Sequence, residues 1–187
     1  MFAYEFAVQL PPLEPNAYGW HRLLWEQLLP RTQRGDEATL LYRIVVTDQG
    51  RAALLRVSES LASALPASLA PLRTPCPIAR EGQRIALNVR LCPLYRSERS
   101  RERTPDDVRG WADALLHRHG FAATAIDIGG LERSRYAKPG QREIAHGTRI
   151  FSIRAKVVDC ALARRAWLHG IGRRRHTGCG LLLEIAP

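Results

Sequence analysis

Two glycine clusters near the C-terminus constrain the fold of this chain more than any other feature. Gly170-Ile171-Gly172 and Gly178-Cys179-Gly180 enclose the five residues Arg173-Arg174-Arg175-His176-Thr177. Glycine permits positive φ angles and a close approach of the backbone to a ligand, and successive N–H groups in such a loop bind anions. The guanidinium groups of arginine add donors that match phosphate. The segment therefore predicts a loop that binds a phosphate backbone.

This loop differs from the known nucleotide-binding motifs. A P-loop carries Lys and then Ser or Thr after its last glycine, and it runs from a strand into a helix. The present loop has no such lysine, its spacing is not GxGxxG, and it is expected to run from a helix into a strand. The alternative interpretation is a plain glycine turn with solvated arginines. The Arg-Arg-Arg-His sequence at its tip favours the binding loop.

The charge of the chain indicates an acidic partner. The 187 residues carry a formal net charge of +10, and 26 of the 28 basic residues are arginine. Because guanidinium groups pair with phosphates and stack on bases, a basic, arginine-rich chain is typical of nucleic-acid binding.

The cysteines and the apolar segments argue against a disulfide-linked, zinc-binding or membrane-spanning protein. The four cysteines form no CxxC pair, so they predict free thiols in a reducing compartment rather than disulfides or a zinc site. No stretch is apolar over the roughly 18 residues of a transmembrane helix, and the N-terminus lacks a secretory signal pattern. We therefore expect a cytoplasmic protein with no membrane contact, no metal and no cofactor.

Hydrophobic periodicity predicts the order strand, helix, strand, strand for the first half. Asn16 is a favourable N-cap for the helix, and Asp48-Gln49-Gly50 is typical of a hairpin turn. The predicted elements are a strand at 2–10, a helix at 17–29, hairpin strands at 39–47 and 51–58, and, within 62–77, a short helix followed by a linker with extended stretches.

The second half repeats this order. Thr104-Pro105-Asp106-Asp107 predicts a helix start, with Thr104 as N-cap and Pro105 as the first helical residue. An Arg/Glu-rich segment at 97–103 is expected to be exposed. The predicted elements are strands at 84–91, 121–128, 144–157 and 180–185, helices at 108–119 and 159–169, and a polar loop at 129–142.

Two halves of this kind predict an α+β fold of two tandem ferredoxin-like domains with a C-terminal glycine-rich loop. We place the N-terminal domain at 1–80, with the candidate catalytic helix, and the C-terminal domain at 81–187, with the loop. A single larger α+β sheet is the alternative architecture.

Tyr18 and His21 are the candidate catalytic pair of the first helix. Their spacing places both side chains on one face, near the positive end of the helix dipole. An imidazole beside a phosphate is a common general acid or base in metal-free RNA cleavage. Taken alone, the pair is more typical of ordinary surface residues, and the glycine loop is what favours a catalytic role.

The sequence resembles the CasE-type CRISPR-associated endoribonucleases. Tyr18, His21, Leu24 and Trp25 match the first helix of that family, and the Gly-Ile-Gly, five residues, Gly-Cys-Gly-Leu-Leu ending matches its C-terminal loop. The resemblance spans most of the chain and implies two tandem ferredoxin-like domains of the RAMP (RRM-like) type. One departure is Arg90-Leu91-Cys92-Pro93, where the family has Arg-x-Asn-Pro. The shorter stretch that follows also leaves the subtype open, including a type IV relative.

The resemblance implies metal-independent cleavage of precursor CRISPR RNA at the 3′ base of the repeat stem-loop. On this interpretation His21 takes the proton from the 2′-OH or gives one to the 5′ oxygen, Tyr18 orients the 2′-OH or the phosphate, and Arg175 stabilises the negative charge on the phosphorane. His176 is a second candidate acid or base. The expected RNA partners also include mature CRISPR RNA, within an effector complex of several subunits.

Further basic residues are candidates for holding the RNA stem through its phosphates. The expected RNA-binding residues are Gly170, Gly172, Arg173, Arg174, His176, Gly178, Gly180, Arg133, Arg135, Lys138, Arg99, Arg101 and Arg103. For the Arg/Glu-rich segment, a solvated loop with local ion pairs is an equally good interpretation.

Two other functions remain open from the sequence. The first is a catalytically inactive subunit of the same fold that only binds CRISPR RNA, and the pair Tyr18 and His21 argues against it. The second is a generic basic RNA-binding protein, for which aromatic-rich strands are expected. The sparse aromatic residues of this chain disfavour that second reading.

Overall fold

The computed structural model describes residues 1–11, 17–28, 40–96, 102–103, 105–136 and 144–186. The elements of the first half are β1 (Phe2–Gln9), α1 (Ala17–Leu28), β2 (Leu40–Thr47), β3 (Gly50–Val57), α2 (Glu59–Ala62) and β4 (Leu72–Pro75). Its antiparallel sheet has the order β2-β3-β1-β4. The predicted hairpin is confirmed, with Thr47 opposite Gly50 at its turn.

The second half repeats the topology of the first. Its elements are β5 (Arg84–Leu91), β6 (Tyr95–Arg96), β7 (Glu102–Arg103), α3 (Val108–Arg118), β8 (Phe121–Ile128), β9 (Glu132–Tyr136), β10 (Ile144–Val157), α4 (Cys160–His169) and β11 (Leu183–Glu184). The main sheet has the order β11-β5-β10-β8. Each half thus has its fourth strand beside its first, which confirms two tandem ferredoxin-like folds.

Alternation along the strands builds the two cores. On β10, Phe151, Ile153 and Ala155 are buried against the helices. Arg154, which lies between Ile153 and Ala155, points to the other face and is exposed. A smaller core in the first half includes Leu24 of α1. Burial of each large apolar side chain contributes roughly 1.5–3 kcal/mol, so the sheet faces and helix stripes are the main stabilising elements.

Four strands were not predicted as strands. Two of them are the short strands β6 and β7, which pair with each other. Part of the predicted polar loop at 129–142 is the strand β9, which pairs with the first residues of β10; its Glu-Arg-Ser-Arg-Tyr sequence lacks the apolar alternation that marks a strand. Within 62–77, β4 pairs with β1 at the edge of the sheet, where Pro75 is tolerated because edge positions need no ladder donor.

One predicted cap and one predicted end were wrong. The helix α3 begins at Val108 as predicted, but its N-cap is Asp107 rather than Thr104, because the Asp107 carboxylate accepts the N–H of Gly110 at 2.9 Å, and Pro105 precedes the helix. The terminal strand is only Leu183–Glu184, since the preceding N–H of Gly180 is used at the base of the loop. Asn16, Leu29 and Thr104 lie outside the described residues.

A buried arginine joins the first sheet to the last helix. Arg56 of β3 is 3% exposed, and its Nη2 forms an ion pair of 2.5 Å with Oε1 of Glu5. Its Nη1 donates to the Trp167 carbonyl at 2.8 Å, and the guanidinium lies 4.2 Å from that indole centroid. Arg43 of β2 also donates to Asn88 of β5. These contacts fix α4, and the loop that follows it, against the first half.

Candidate functional site

The glycine loop closes on itself at its base. The N–H of Ile171 donates to the Gly180 carbonyl at 3.1 Å, and the N–H of Gly180 donates to the Arg90 carbonyl at 2.8 Å. The loop is therefore anchored to the end of β5, at the Arg90-to-Pro93 motif. The Arg90 side chain forms an ion pair of 2.8 Å with Glu132 and donates to Thr148, which ties the same point to β9 and β10.

Two glycines are required by this closure. Gly180 has a φ of +87°, and a Cβ there would collide with the Ile171 carbonyl oxygen. Gly170 has a φ of +73°, and a Cβ there would lie 2.9 Å from the Gly180 carbonyl oxygen. Residues with a side chain rarely adopt such φ angles, so both glycines are needed for the shape of the loop itself.

The tip of the loop is a single 3-10 turn, Arg175–Thr177. Arg174, just before it, has a left-handed φ of +60°, and its carbonyl accepts both the N–H and the hydroxyl of Thr177 at 2.8 Å. Thr177 is buried, and its Oγ1 lies 3.4 Å from Nε2 of His146 on β10. This inward threonine leaves the neighbouring basic residues on the outer side of the turn.

The first half of the chain reaches the loop through a tyrosine that sequence reasoning missed. The Tyr42 hydroxyl donates to the His176 carbonyl oxygen at 2.9 Å. Burial, more than the neighbouring Cys179, raises the pKa of Tyr42, and Arg90 opposes this shift. The phenol therefore stays a donor. Only its position within the first β-rich run, at 39–47, was evident in the sequence, and nothing there indicated a partner 134 residues away.

His21 lies among three rings beside the loop. Its imidazole centroid is 5.9 Å from that of His176, 6.4 Å from the Tyr42 ring and 6.1 Å from the Trp25 ring. The His176 and Trp25 rings meet it edge-on at 70°, whereas the Tyr42 ring is stacked at 26°. The imidazoles of His21 and His176 are thus close enough to contact the same functional group of a ligand from two sides.

These histidines line a cavity of about 640 Å³ between the two halves. Arg175 lines it as well, and its Nη1 donates to the His169 carbonyl at 2.7 Å. The cavity therefore brings together His21, His176 and Arg175, three residues that the sequence singled out separately. Such a combination of two proton-transfer groups and a fixed cation is suited to a phosphodiester.

Four more basic residues line this cavity, and the sequence gave them no role. Arg118 and His119 end α3, while Arg165 and His169 lie four residues apart on α4. Burial lowers the pKa of both histidines, and neighbouring arginines lower it further. The i, i+4 spacing on α4 was a detectable signal, but the convergence of the end of α3 with this face of α4 depends on the tertiary fold.

The other predicted residues are distributed more widely. Tyr18 belongs to α1, but its side chain lies outside the described part, as do those of Arg135 on β9 and Arg103 on β7. Arg99, Arg101 and Lys138 are outside the described residues altogether.

Arg133 is exposed on β9 and lines a different cavity, of about 300 Å³, with His146 and Arg149. Arg173 and Arg174 line an open groove of about 520 Å³ on the outer side of the loop, next to Arg175 and His176. The structure therefore does not bring Arg133 to the cavity of His21, whereas the loop arginines are continuous with it.

Two features are absent from the residues that the structure describes. Among these residues no group of three or more His, Cys, Asp or Glu could hold a metal ion. None of the helices in the same ranges is long and apolar enough to cross a membrane.

The fold and the site define a protein of two tandem ferredoxin-like domains with a glycine-rich loop facing a helix of the first domain. The family model of CRISPR associated proteins matches residues 9–187. The chain therefore belongs to the family of CRISPR associated proteins, which confirms the family resemblance drawn from the first helix and the loop. A comparison with curated proteins finds no significant sequence match.

Solved structures of CRISPR proteins, among them the CRISPR endoribonuclease Cse3, share the whole fold. Cse3 bound to a 19-nucleotide RNA has 20% identity and a TM-score of 0.78 over 100% of both chains. Cse3 of Thermus thermophilus, bound to an RNA that represents a pre-cleavage complex, has 20% identity and a TM-score of 0.76, again over 100% of both. Cas6e of Escherichia coli str. K-12 has 14% identity and a TM-score of 0.69 over 98% of both. At these identities the likeness establishes the fold.

Proposed function

We propose that this protein is a metal-independent endoribonuclease that cleaves precursor CRISPR RNA at the 3′ base of the repeat stem-loop. The observation that carries the proposal is the distance of 5.9 Å between the imidazoles of His21 and His176, in a cavity that Arg175 also lines. Membership of the CRISPR associated family and the fold of RNA-bound Cse3 support the choice of substrate.

The reaction is an in-line transesterification. One imidazole removes the proton of the ribose 2′-OH, the 2′ oxygen bonds to phosphorus, and the bond to the 5′ oxygen breaks. The other imidazole gives its proton to that 5′ oxygen, so the products are a 2′,3′-cyclic phosphate and a 5′-OH. Each positioned acid or base contributes about 10²–10⁴-fold to the rate. We assign His21 as the base that removes the 2′-OH proton and His176 as the acid that protonates the 5′ oxygen.

The remaining groups stabilise the transition state and orient the RNA. Arg175 is held by its hydrogen bond to the His169 carbonyl, so its guanidinium is placed beside the phosphate and offsets the charge that develops in the transition state. Tyr18, three residues before His21 on α1, orients the 2′-OH or donates to a phosphate oxygen. DNA is not cleaved because it lacks the 2′-OH.

The loop arginines and the effector complex complete the proposal. Arg173 and Arg174 line the groove that continues from the cavity, and they bind phosphates of the RNA stem. A chain of a CRISPR RNA-guided surveillance complex shares the fold at 21% identity and a TM-score of 0.67. We therefore propose that the protein keeps its CRISPR RNA product and joins other subunits of such a complex.

The test is a cleavage assay in EDTA on the stem-loop repeat RNA of the CRISPR array from the same organism. The proposal expects one cut at the 3′ base of the stem, and no cut when the nucleotide before it carries a 2′-deoxyribose. Tight binding of both RNAs with no cleavage would replace the enzyme by a binding subunit. Cleavage of the deoxy-substituted RNA would contradict the mechanism.

A further inference from the structure

The cavity beside His21 has a side that the proposed cleavage chemistry does not use. It is formed by the end of α3 and by one face of α4, and we call its residues Arg118, His119, Leu162, Arg165 and His169 the helical wall. Arg118 and Arg165 are exposed, and Leu162 is 41% exposed despite being apolar. The helical wall thus presents both charged and apolar groups to the same space.

The charge of the helical wall is not offset locally. Within the described part of the chain, neither Arg118 nor Arg165 forms an ion pair, and no Asp or Glu lines the cavity. A basic residue at the C-terminus of a helix is common, because it opposes the helix dipole. The dipole does not explain why Arg118 at the end of α3, Arg165 in the middle of α4 and Arg175 converge on one cavity. Their convergence points to an anionic ligand.

The dimensions of the cavity select single-stranded nucleic acid. Its volume of about 640 Å³ is within the roughly 300–1,000 Å³ of sites that enclose a small molecule. That space takes a nucleotide or two but not an A-form duplex. Single-stranded RNA is bound by cations on its phosphates and by flat or apolar groups against its bases, and the helical wall supplies both.

We infer that the helical wall binds the single-stranded RNA that directly flanks the phosphate to be cleaved. Arg118 and Arg165 contact its phosphates, and Leu162 and the two imidazoles contact a base. The inference rests on the proposed function, since it takes His21 as the point where the RNA is cut. The wall would then orient the strand that leaves the stem, while the loop arginines bind the stem itself.

The test compares RNAs with and without flanks. Each carries a 2′-deoxy nucleotide at the cut, so that it binds without being cleaved, and is either a bare stem-loop or one with a single-stranded extension on the 5′ or the 3′ side. The double variant R118A/R165A removes the wall arginines. R80A/R84A is the matched control, because both residues are exposed, neither lines the cavity, and Arg84 begins β5 at the end opposite Arg90.

An extension on one side is expected to tighten binding by the wild type, and R118A/R165A should lose that gain. The expected loss is roughly tenfold near 0.1 M salt, with a salt slope smaller by about 1.4, because each single-strand phosphate contact contributes about 0.7. Binding of the bare stem-loop should be unchanged. R80A/R84A should bind all three RNAs like the wild type.

Two results would overturn the inference: no effect of either extension on the wild type, or an equal loss by R118A/R165A on the bare stem-loop. A wild type that does not bind the bare stem-loop would contradict the proposed function instead. In that case the inference is tested by the binding of a single-stranded oligouridine to the two double variants. Weaker binding by R118A/R165A than by R80A/R84A supports the wall, and equal binding overturns it.

Discussion

The hydroxyl of Tyr42 donates a hydrogen bond of 2.9 Å to the carbonyl oxygen of His176. Tyr42 is 1% exposed on β2 of the first half, and its ring also stacks beside His21 at 6.4 Å. One buried side chain therefore lies against both histidines of the proposed site: its ring stacks beside the imidazole of His21, and its hydroxyl binds the backbone of His176. This links the geometry of the site to the packing between the two halves.

The variant Tyr42→Phe is expected to cleave more slowly at saturating RNA, with little change in binding. Removal of the hydroxyl leaves the His176 carbonyl without this donor, so the imidazole is less well positioned. The free energy of unfolding should fall by about 1 kcal/mol. Single-turnover cleavage and urea denaturation measure the two effects. Tyr4→Phe on β1 is the control, and an unchanged cleavage rate in Tyr42→Phe would rule out positioning by the phenol.

The variant Gly180→Ala is expected to destabilise the protein and weaken RNA binding together. The residue has a φ of +87°, and the added Cβ would meet the Ile171 carbonyl oxygen; strain of this kind costs on the order of 1–3 kcal/mol. Thermal unfolding and RNA affinity are the measurements. Gly130→Ala is the matched control, because its Cβ would have nothing within 4 Å. Equal behaviour of the two variants would contradict the described loop closure.

Acid is expected to destabilise the fold through His119 and His169. Burial is the first cause that lowers the pKa of each below its ordinary value, and neighbouring arginines are the second. The unfolded chain therefore binds more protons just below the usual histidine pKa, so stability falls as the pH decreases from about 7 to 5.5. Urea titrations at both pH values should show a smaller loss for H119Q/H169Q. The exposed His117→Gln is the control, and an equal loss in all three proteins would contradict the assignment.

The roles of the two histidines can be separated with a substrate whose 5′ leaving oxygen is replaced by sulfur. A thiolate leaves without a proton, so the variant that lacks the general acid should recover most of its rate on this RNA, whereas the variant that lacks the base should not. We expect His176→Ala to be rescued and His21→Ala to remain slow. Rescue of His21→Ala alone would exchange the two roles, and rescue of neither would remove His176 as the acid.

The fold was largely predictable because its strands and helices carry clear periodicity. The hairpin of β2 and β3 and the strand β8 follow directly from apolar β-rich runs. The strand β9 was missed because its stability comes from pairing with β10 rather than from its own apolar face. The strand β4 was missed for a similar reason, since its exposed residues lie at the edge of the sheet.

The site was predictable only where it is local in sequence. The spacing on α1 singled out His21, and the glycine clusters singled out the loop that carries Arg175 and His176. Tyr42 and the helical wall were not predictable, because their role depends on which elements meet across the two halves. Their partners lie far away in sequence, and no short motif records such contacts.

The most direct test of the account is single-turnover cleavage of the repeat RNA in EDTA by the wild type and by His21→Ala. The account predicts that the wild type yields a 2′,3′-cyclic phosphate, whereas the variant binds equally well but cleaves at least about 10²-fold more slowly. A His21→Ala protein that cleaves at the rate of the wild type would contradict the central claim.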